Sequence, residues 1–155
     1  MTTRTGFDLT RRGFIAGSGG AVFISALPMA AHASEADLIA ARTKLFGNRP
    51  ITEGRVTVKL PPIAENGHSV PLEVSVDSPM SETDYVKRIA ILSPRNPLPQ
   101  IAEFHMTPLS GRAFVSTRIR MSGTQAIQAV AEMSDGTLWS GSMETVVTLA
   151  ACVVL

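Results

Sequence analysis

Apolar and polar residues alternate with a period of two along most of the chain after Gly54, which is typical of strands that bury one face. The alternation is clean over residues 56–60 and again over residues 70–76. Further candidate strands recur at intervals of about ten residues, a spacing common in sandwich folds. They cover residues 85–92, 101–106, 113–121, 125–133 and 137–149, with Gly141 as a candidate break in the last one.

Turn signals separate these runs. Glu65-Asn66-Gly67 predicts a hairpin, because Asn-Gly readily adopts the backbone angles of tight turns. Asn96-Pro97, Ser122-Gly123 and Ser134-Asp135-Gly136 mark other connections. Short strands with regular turns predict an antiparallel β-sandwich, and the absence of a repeat or a low-complexity linker predicts one domain.

One short helix is expected before the strands, over residues 34–47. Ser34 can cap its start, with Asp37 three residues on, and Gly47 suits a left-handed stop. The fold class is therefore mainly β, with a single N-terminal helix.

The N-terminus has the three parts of an export signal. Arg11-Arg12 precedes an apolar run over residues 15–29, which ends at the small-x-small site Ala31-His32-Ala33. This order predicts a twin-arginine signal peptide over residues 1–33, cleaved to leave a mature domain of residues 34–155. The alternative is a membrane anchor, but the apolar run is shorter than the roughly 20 residues that span a bilayer.

Cleavage changes the charge of the protein. It removes three arginines and one aspartate, so that the formal net charge falls from +1 to −1. The mature chain has no cluster of basic residues, so nucleic acid is not expected as a partner. It also has no further apolar stretch of membrane-spanning length, and no membrane contact is expected.

The single cysteine, Cys152, lies four residues from the end. A lone cysteine cannot close an intramolecular disulfide in an exported protein, so it is reactive, bonded to another molecule, or buried. As a thiol on a projecting C-terminal tail it could accept sulfur atoms. As a neighbour of Val153-Val154-Leu155 it could equally be a small apolar residue of a buried last strand. Spacing leaves both interpretations open.

Other chemistry-bearing residues form no recognisable motif. His68 and His105 lack metal-ligand spacing, so no metal or other cofactor is expected. There is no phosphate-binding loop and no nucleophile elbow, which argues against an enzyme. Arg118 and Arg120 share one face of a strand and could meet an anion, a carboxylate of a partner, or only solvent. Trp139 is expected in the core or at an interface.

Much of the mature chain is similar to SoxY, the sulfur-carrier subunit of periplasmic thiosulfate-oxidising systems. The resemblance rests on segments in the same order along the chain. They are Ile63-Ala64-Glu65-Asn66-Gly67, Val70-Pro71-Leu72, Val76-Asp77-Ser78-Pro79-Met80, Asp84-Tyr85-Val86, Asn96-Pro97, Ala102-Glu103-Phe104-His105, Ser116-Thr117-Arg118-Ile119-Arg120 and Ala131-Glu132-Met133-Ser134-Asp135-Gly136.

This resemblance implies an immunoglobulin-like sandwich that forms a heterodimer with a second subunit, SoxZ. It also implies that Cys152 holds sulfur intermediates covalently for separate enzymes of the periplasm. These are a haem c enzyme that attaches thiosulfate, a manganese-dependent hydrolase that releases sulfate, and a molybdenum-haem dehydrogenase. The carrier itself would have no turnover and no cofactor.

The C-terminal tail departs from the family pattern, which is typically Gly-Gly-Cys-Gly-Gly. Here Ala150-Ala151 precedes Cys152 and Val153-Val154 follows it. Alanine has less backbone freedom than glycine, and β-branched valine has less still. The alternative function is therefore a diverged scaffold or binding subunit that pairs with SoxZ but carries no sulfur.

Overall fold

A computed structural model of the protein describes residues 34–151. Within that range the chain forms a β-sandwich with one helix packed on its outside. The elements are helix α1 Glu35–Phe46, strands β1 Ile51–Glu53, β2 Val56–Lys59, β3 Ile63–Ala64, β4 Val70–Val76, β5 Val86–Leu92, β6 Gln100–His105, a 3-10 turn Pro108–Ser110, β7 Phe114–Ile119, β8 Gln125–Met133 and β9 Leu138–Val147.

Two sheets face each other. The larger sheet has the strand order β1-β9-β8-β5-β6, with β3 pairing beside the end of β9, and the smaller sheet has the order β2-β4-β7. The predicted mainly β sandwich with one short helix is confirmed. Pairing is antiparallel throughout these strands except that β1 and β3 both run parallel to β9.

The alternation read from the sequence determines which side chains fill the sandwich. In β4, Val70, Leu72, Val74 and Val76 are buried between the sheets while their neighbours face outward. In β5 most residues are buried, including consecutive ones, because both of its faces are covered. The inner face contacts the smaller sheet, and the outer face contacts helix α1.

Helix α1 begins and ends where the sequence predicts. The Asp37 N–H donates to Ser34 Oγ at 3.2 Å, the Ser34 N–H donates to Asp37 Oδ2 at 2.7 Å, and Gly47 ends the helix at φ 68°. The helix buries Leu38 and Phe46 in a second apolar cluster. The residues of the sheet in this cluster are Ala90, Leu92, Val130 and Leu138.

A group of charged residues fixes the helix end to the sheet. Arg88 donates to Glu132 Oε2 at 2.6 Å, to Glu103 Oε1 at 3.0 Å and to the carbonyl of Leu45 at 2.6 Å. Its guanidinium also lies 4.7 Å from the centre of the Phe46 ring. Arg49 makes a second ion pair with Glu132 at 2.8 Å.

These contacts shift the acid–base equilibrium of Glu132. Partial burial raises the pKa of its carboxyl, but the hydrogen bonds from Arg49 and Arg88 outweigh burial and hold that pKa below 4.5. The pKa of Arg88 is raised, because its two carboxylate partners outweigh its own desolvation. Both charges are therefore stabilised in the folded protein.

Two local expectations are wrong. Strand β9 runs unbroken through Gly141, where a Cβ would collide with the backbone carbonyl of Val56, so this glycine permits close approach of the sheets rather than a break. The tight hairpin at Glu65-Asn66-Gly67 is also absent. Strands β2 and β4 do pair, but the chain between them leaves the smaller sheet and forms β3 beside β9.

Candidate functional site

The end of β9 is held by backbone hydrogen bonds to the 62–67 loop. The Val146 N–H donates to the carbonyl of Pro62 at 3.0 Å, and the Thr148 N–H donates to the carbonyl of Ala64 at 3.1 Å. These bonds extend the short parallel pairing of β3 with β9. These bonds therefore fix the path of the backbone at the end of β9.

A second set of bonds holds the next residues between two loops. The Gly67 N–H donates to the carbonyl of Leu149 at 2.8 Å, and the Ala151 N–H donates to the carbonyl of Met121 at 3.0 Å. The Met121 N–H in turn donates to the carbonyl of Gly67 at 2.9 Å. We call this arrangement, of residues 62–67 and 121–124 around residues 146–151, the C-terminal clasp.

Gly67 is the tightest point of the clasp. A Cβ at this position would collide with the carbonyl of Met121 and would lie 3.1 Å from both the Ala151 nitrogen and the Leu149 oxygen. Three backbone segments therefore meet where only glycine fits. The sequence signal was visible as Asn66-Gly67, but it reflects this close approach and not a hairpin.

Two threonine side chains reinforce the clasp. Thr124 Oγ1 accepts the N–H of Val147 at 3.0 Å, and Thr148 Oγ1 donates to the carbonyl of Glu65 at 2.8 Å. Each bond satisfies a backbone group that the sheet leaves unpaired at its end. Nothing in the sequence pattern identified these residues.

The 121–124 loop is itself fixed by a buried polar network. Gln125 Nε2 and the Ser122 N–H both donate to Asn96 Oδ1 at 3.0 Å, and Asn96 Nδ2 donates to the carbonyl of Arg120 at 2.8 Å. Ser93 Oγ donates to Gln125 Oε1 at 2.6 Å. Buried polar groups with complete hydrogen bonding define one geometry, so the network holds the loop that receives Ala151.

Cys152 lies outside the described residues, and neither interpretation of its thiol is tested by the fold. What the structure provides is the position of the residue before it. Ala151 is half-buried and hydrogen-bonded to Met121, so the clasp extends up to the residue that directly precedes the cysteine.

The two histidines among residues 34–151 are not brought together. His68 and His105 are both exposed, and His105 Nε2 lies 3.3 Å from Glu103 Oε1. Among residues 34–151 no group of three or more potential metal-ligating side chains exists. Trp139 is half-buried beside the core, with the Arg55 guanidinium 5.6 Å from its ring centre.

Arg118 and Arg120 are exposed on β7 and directly after it. Arg118 Nε donates to Ser69 Oγ at 2.6 Å, and its Nη2 donates to the carbonyl of Ser69 at 3.2 Å. Neither arginine has a carboxylate within ion-pair distance in the described part of the chain. Both therefore keep positive charge facing solvent close to the clasp.

The fold and the clasp define a class of protein: a β-sandwich whose last strand leads into a backbone-anchored segment that directly precedes a cysteine. The family model for the sulfur oxidation protein SoxY matches residues 42–152. The chain therefore belongs to the SoxY family. The matched region ends on Cys152.

One solved SoxY structure agrees with this assignment, and two other solved structures share the fold. The sulfur carrier protein SoxY from Chlorobium limicola f thiosulfatophilum is 33% identical, with a TM-score of 0.64, over 75% of this chain and 100% of that one. Superoxide reductase (neelaredoxin) from Ignicoccus hospitalis, 16% identical, reaches 0.54 over 61% of this chain and 80% of that one. The superoxide reductase from Nanoarchaeum equitans, 11% identical, reaches 0.51 over 61% and 99%.

The two superoxide reductases share the fold alone with this chain. None of the curated proteins matches it. Over the described range, no helix has both the length and the apolar character needed to cross a membrane.

Proposed function

We propose that the protein is a covalent carrier of sulfur intermediates in periplasmic thiosulfate oxidation, with the Cys152 thiolate as the attachment point. The observation that carries the proposal is the family match, which covers residues 42–152 and ends on this cysteine. The clasp supports it, because backbone bonds fix the chain up to Ala151. The sulfur would then be attached to Cys152, the residue that directly follows the anchored Ala151.

The loading reaction needs an oxidant from outside this chain. Forming a disulfide bond between Cys152 Sγ and the sulfane sulfur of thiosulfate releases one proton and two electrons, which a haem enzyme would accept. Hydrolysis of the S–sulfonate bond by water then releases sulfate and two protons and leaves a persulfide anion on Cys152. The protein contributes the thiolate, which is the reacting form of the cysteine.

The clasp sets how far the cysteine can reach. While the bonds of Leu149 and Ala151 are intact, Cys152 directly follows an anchored residue. A partner enzyme must therefore approach the sandwich closely, or the bonds at Leu149 and Ala151 must open to lengthen the tail. Opening costs a few backbone hydrogen bonds, each with a net value of about 1 kcal/mol.

Export would place this chemistry in the periplasm. The twin-arginine signal over residues 1–33 leaves the carrier domain of residues 34–155. Replacing Arg11-Arg12 with Lys-Lys is expected to block export, and the exported protein is expected to begin at Ser34. Sequencing the N-terminus of the periplasmic protein checks this, and a chain that still starts at Met1 would contradict it.

A SoxZ-like subunit would cover an apolar patch beside the clasp. Ile63 and Val146 are directly paired on β3 and β9 and are 62% and 46% exposed, and Leu149 is 59% exposed. The patch is small, because most outward residues of β9 are polar. Exposed apolar side chains that cluster are typical of subunit interfaces.

The pairing can be measured by light scattering after size exclusion. Co-expressed carrier and SoxZ-like subunit should elute as a heterodimer, and Ile63→Asp should weaken it more than Leu109→Asp, which changes a leucine that is 98% exposed on the 3-10 turn. A carrier that still elutes as a monomer when it is co-expressed with the second subunit would contradict the pairing.

The second candidate function is a scaffold that pairs with the same subunit without carrying sulfur. It is favoured by the tail, in which Ala151 is held in the clasp and Val153-Val154 replaces the flexible glycines of the family. In that case the cysteine would stay a thiol at all times.

Cys152→Ser separates the two functions. The carrier function predicts that thiosulfate turnover by the reconstituted system is lost, while folding and subunit pairing are unchanged. Cys152→Ala serves as a second variant that removes the thiol without adding a hydroxyl. Full turnover with either variant would contradict the carrier function and support the scaffold.

A further inference from the structure

The positive charges of β7 lie next to the point where the tail leaves the clasp. Arg120 immediately precedes Met121, whose carbonyl receives the Ala151 N–H. Arg118 is bonded through its guanidinium to Ser69, two residues from Gly67. Cys152 directly follows the anchored Ala151, and consecutive Cα atoms lie about 3.8 Å apart.

The side chains of Arg118 and Arg120 line the same surface depression. Two hydrogen bonds to Ser69 fix the orientation of the Arg118 guanidinium. Together with Arg120 it borders a shallow depression whose other walls come from Pro97, Leu98 and Ile101. The depression thus offers aliphatic walls and two cationic groups at its rim.

No carboxylate of the described chain neutralises these charges. Glu73 is two positions from Arg118 across the β4–β7 pairing, and Glu65 belongs to the clasp, but neither forms an ion pair with the arginines. Arg95 adds a third positive charge, since its Nη1 donates to the carbonyl of Thr124 in the clasp loop at 2.9 Å. Three guanidinium groups, those of Arg95, Arg118 and Arg120, therefore lie close to the clasp without an ion-pair partner in the described range, where they would attract an anion.

We propose that Arg118 and Arg120 form a binding site for the sulfonate end of the adduct carried by Cys152. This inference rests on the proposed carrier role. Guanidinium groups bind sulfur and phosphorus oxyanions through paired N–H donors, and the tether raises the effective concentration of the sulfonate at the site. The site selects sulfur chains that end in a charged oxyanion over neutral ones.

Chemical loading tests the site without any partner enzyme. Tetrathionate reacts with the Cys152 thiolate by exchange: the thiolate attacks an inner sulfur, a thiosulfonate-capped disulfide forms, and thiosulfate leaves with the electron pair of the broken S–S bond. Iodoacetamide alkylates the same thiolate but is neutral. The ratio of the two rates therefore reports recognition of the anion, independently of how accessible the cysteine is.

The double variant Arg118→Gln with Arg120→Gln should slow tetrathionate loading roughly three- to tenfold at low ionic strength and leave the iodoacetamide rate unchanged. The charge-matched comparison is Arg118→Gln alone against Arg112→Gln, because each removes one positive charge. Arg112 is stacked 4.7 Å from the Phe114 ring, about 20 Å from Arg118 at strand spacing, and its substitution should leave the rate ratio unchanged. Equal rate ratios in the wild type and the double variant would overturn the proposal.

Nuclear magnetic resonance of the arginine Nε–H groups tests retention of the adduct. Loading with tetrathionate should shift the Arg118 and Arg120 signals, whereas loading with methyl methanethiosulfonate, which leaves a neutral cap, should not. One millimolar free sulfate should also leave them in place. Equal shifts with the neutral cap or with free sulfate would overturn the assignment to the adduct. Thiosulfate turnover is measured separately, so this site can fail while the carrier function stands.

Discussion

The helix-covered side of the larger sheet and the C-terminal clasp hold their chain segments by different means. Under helix α1, Leu38 and Phe46 are buried in an apolar cluster, and every charge of the Arg88 group has an opposite charge beside it. In the clasp, by contrast, the tail is held mainly by hydrogen bonds to backbone carbonyls. The charges beside it, Arg118 and Arg120, have no carboxylate partner among residues 34–151.

The helix-covered side therefore contributes to the stability of the fold, whereas the clasp lies beside the candidate site. Apolar burial and compensated charge make the helix side part of the cooperative fold. A segment held by a few backbone bonds near a chain end can open locally while the rest stays folded. We therefore expect the clasp to open locally while the sandwich stays folded, which would change the accessibility of Cys152.

The largest effect on stability is expected from Arg88→Met. Removing this side chain leaves Glu103 with only Gln100 and His105 beside it and leaves partly buried Glu132 with Arg49 alone. The free energy of unfolding should fall by about 2–4 kcal/mol, since breaking such a group strands a charge. Urea denaturation measures it, and the rate of thiol labelling of folded Cys152 should stay the same. Faster labelling would show that the two regions are coupled.

Gly67→Ala, unlike Arg88→Met, should change the labelling rate of Cys152 as well as the free energy of unfolding. The added Cβ would collide with the carbonyl of Met121 and press on Ala151, so the clasp should open. We expect a loss of about 1–3 kcal/mol together with faster labelling of Cys152 by a thiol reagent.

Gly111→Ala is the control for this change. Gly111 has φ 70° and no atoms near its Cβ position, so the substitution should cost about 1 kcal/mol of backbone strain and leave labelling unchanged. Labelling that is equally slow in the wild type and in Gly67→Ala would refute the role of the clasp.

A smaller and more selective effect is expected from Thr124→Val. It removes the acceptor of the Val147 N–H and should lower the free energy of unfolding by about 1 kcal/mol. Labelling of Cys152 should accelerate moderately. Thr57→Val, at an exposed position of β2, is the matched control and should change neither quantity.

The smallest effect concerns acid stability. The folded-state pKa of Glu132 is depressed below 4.5, so its contribution to stability is present above that pH and is lost as pH falls through the folded pKa. Glu132→Gln should therefore flatten the decline in the free energy of unfolding below about pH 4.5. Urea midpoints from pH 7 to pH 3 test this against Glu144→Gln on the same sheet. An equal decline in the free energy of unfolding below pH 4.5 in the wild type and in Glu132→Gln would contradict this role of Glu132.

The sequence predicted the strands that bury one face well, as the alternation in β4 shows. It missed β1 and β3, which are three and two residues long and leave almost no periodicity. It misread Gly67 and Gly141, because both glycines serve contacts between segments far apart in sequence. A local pattern does not contain such contacts.

The candidate site was predictable only in part. The cysteine count singled out Cys152, whose role stays a prediction, and the pattern placed Arg118 and Arg120 on one face. The clasp was not predictable, because Met121, Thr124 and Gly67 approach the tail only when both sheets have formed. Its side chains are ordinary polar or apolar residues with no motif.

The central claim is that Cys152 carries sulfur, and intact-mass spectrometry of the protein from its own periplasm during growth on thiosulfate tests it most directly. The carrier function predicts a fraction with added sulfur or thiosulfonate mass on the peptide that contains Cys152, removed by a reducing agent. A protein whose cysteine is an unmodified thiol throughout growth on thiosulfate would contradict the claim.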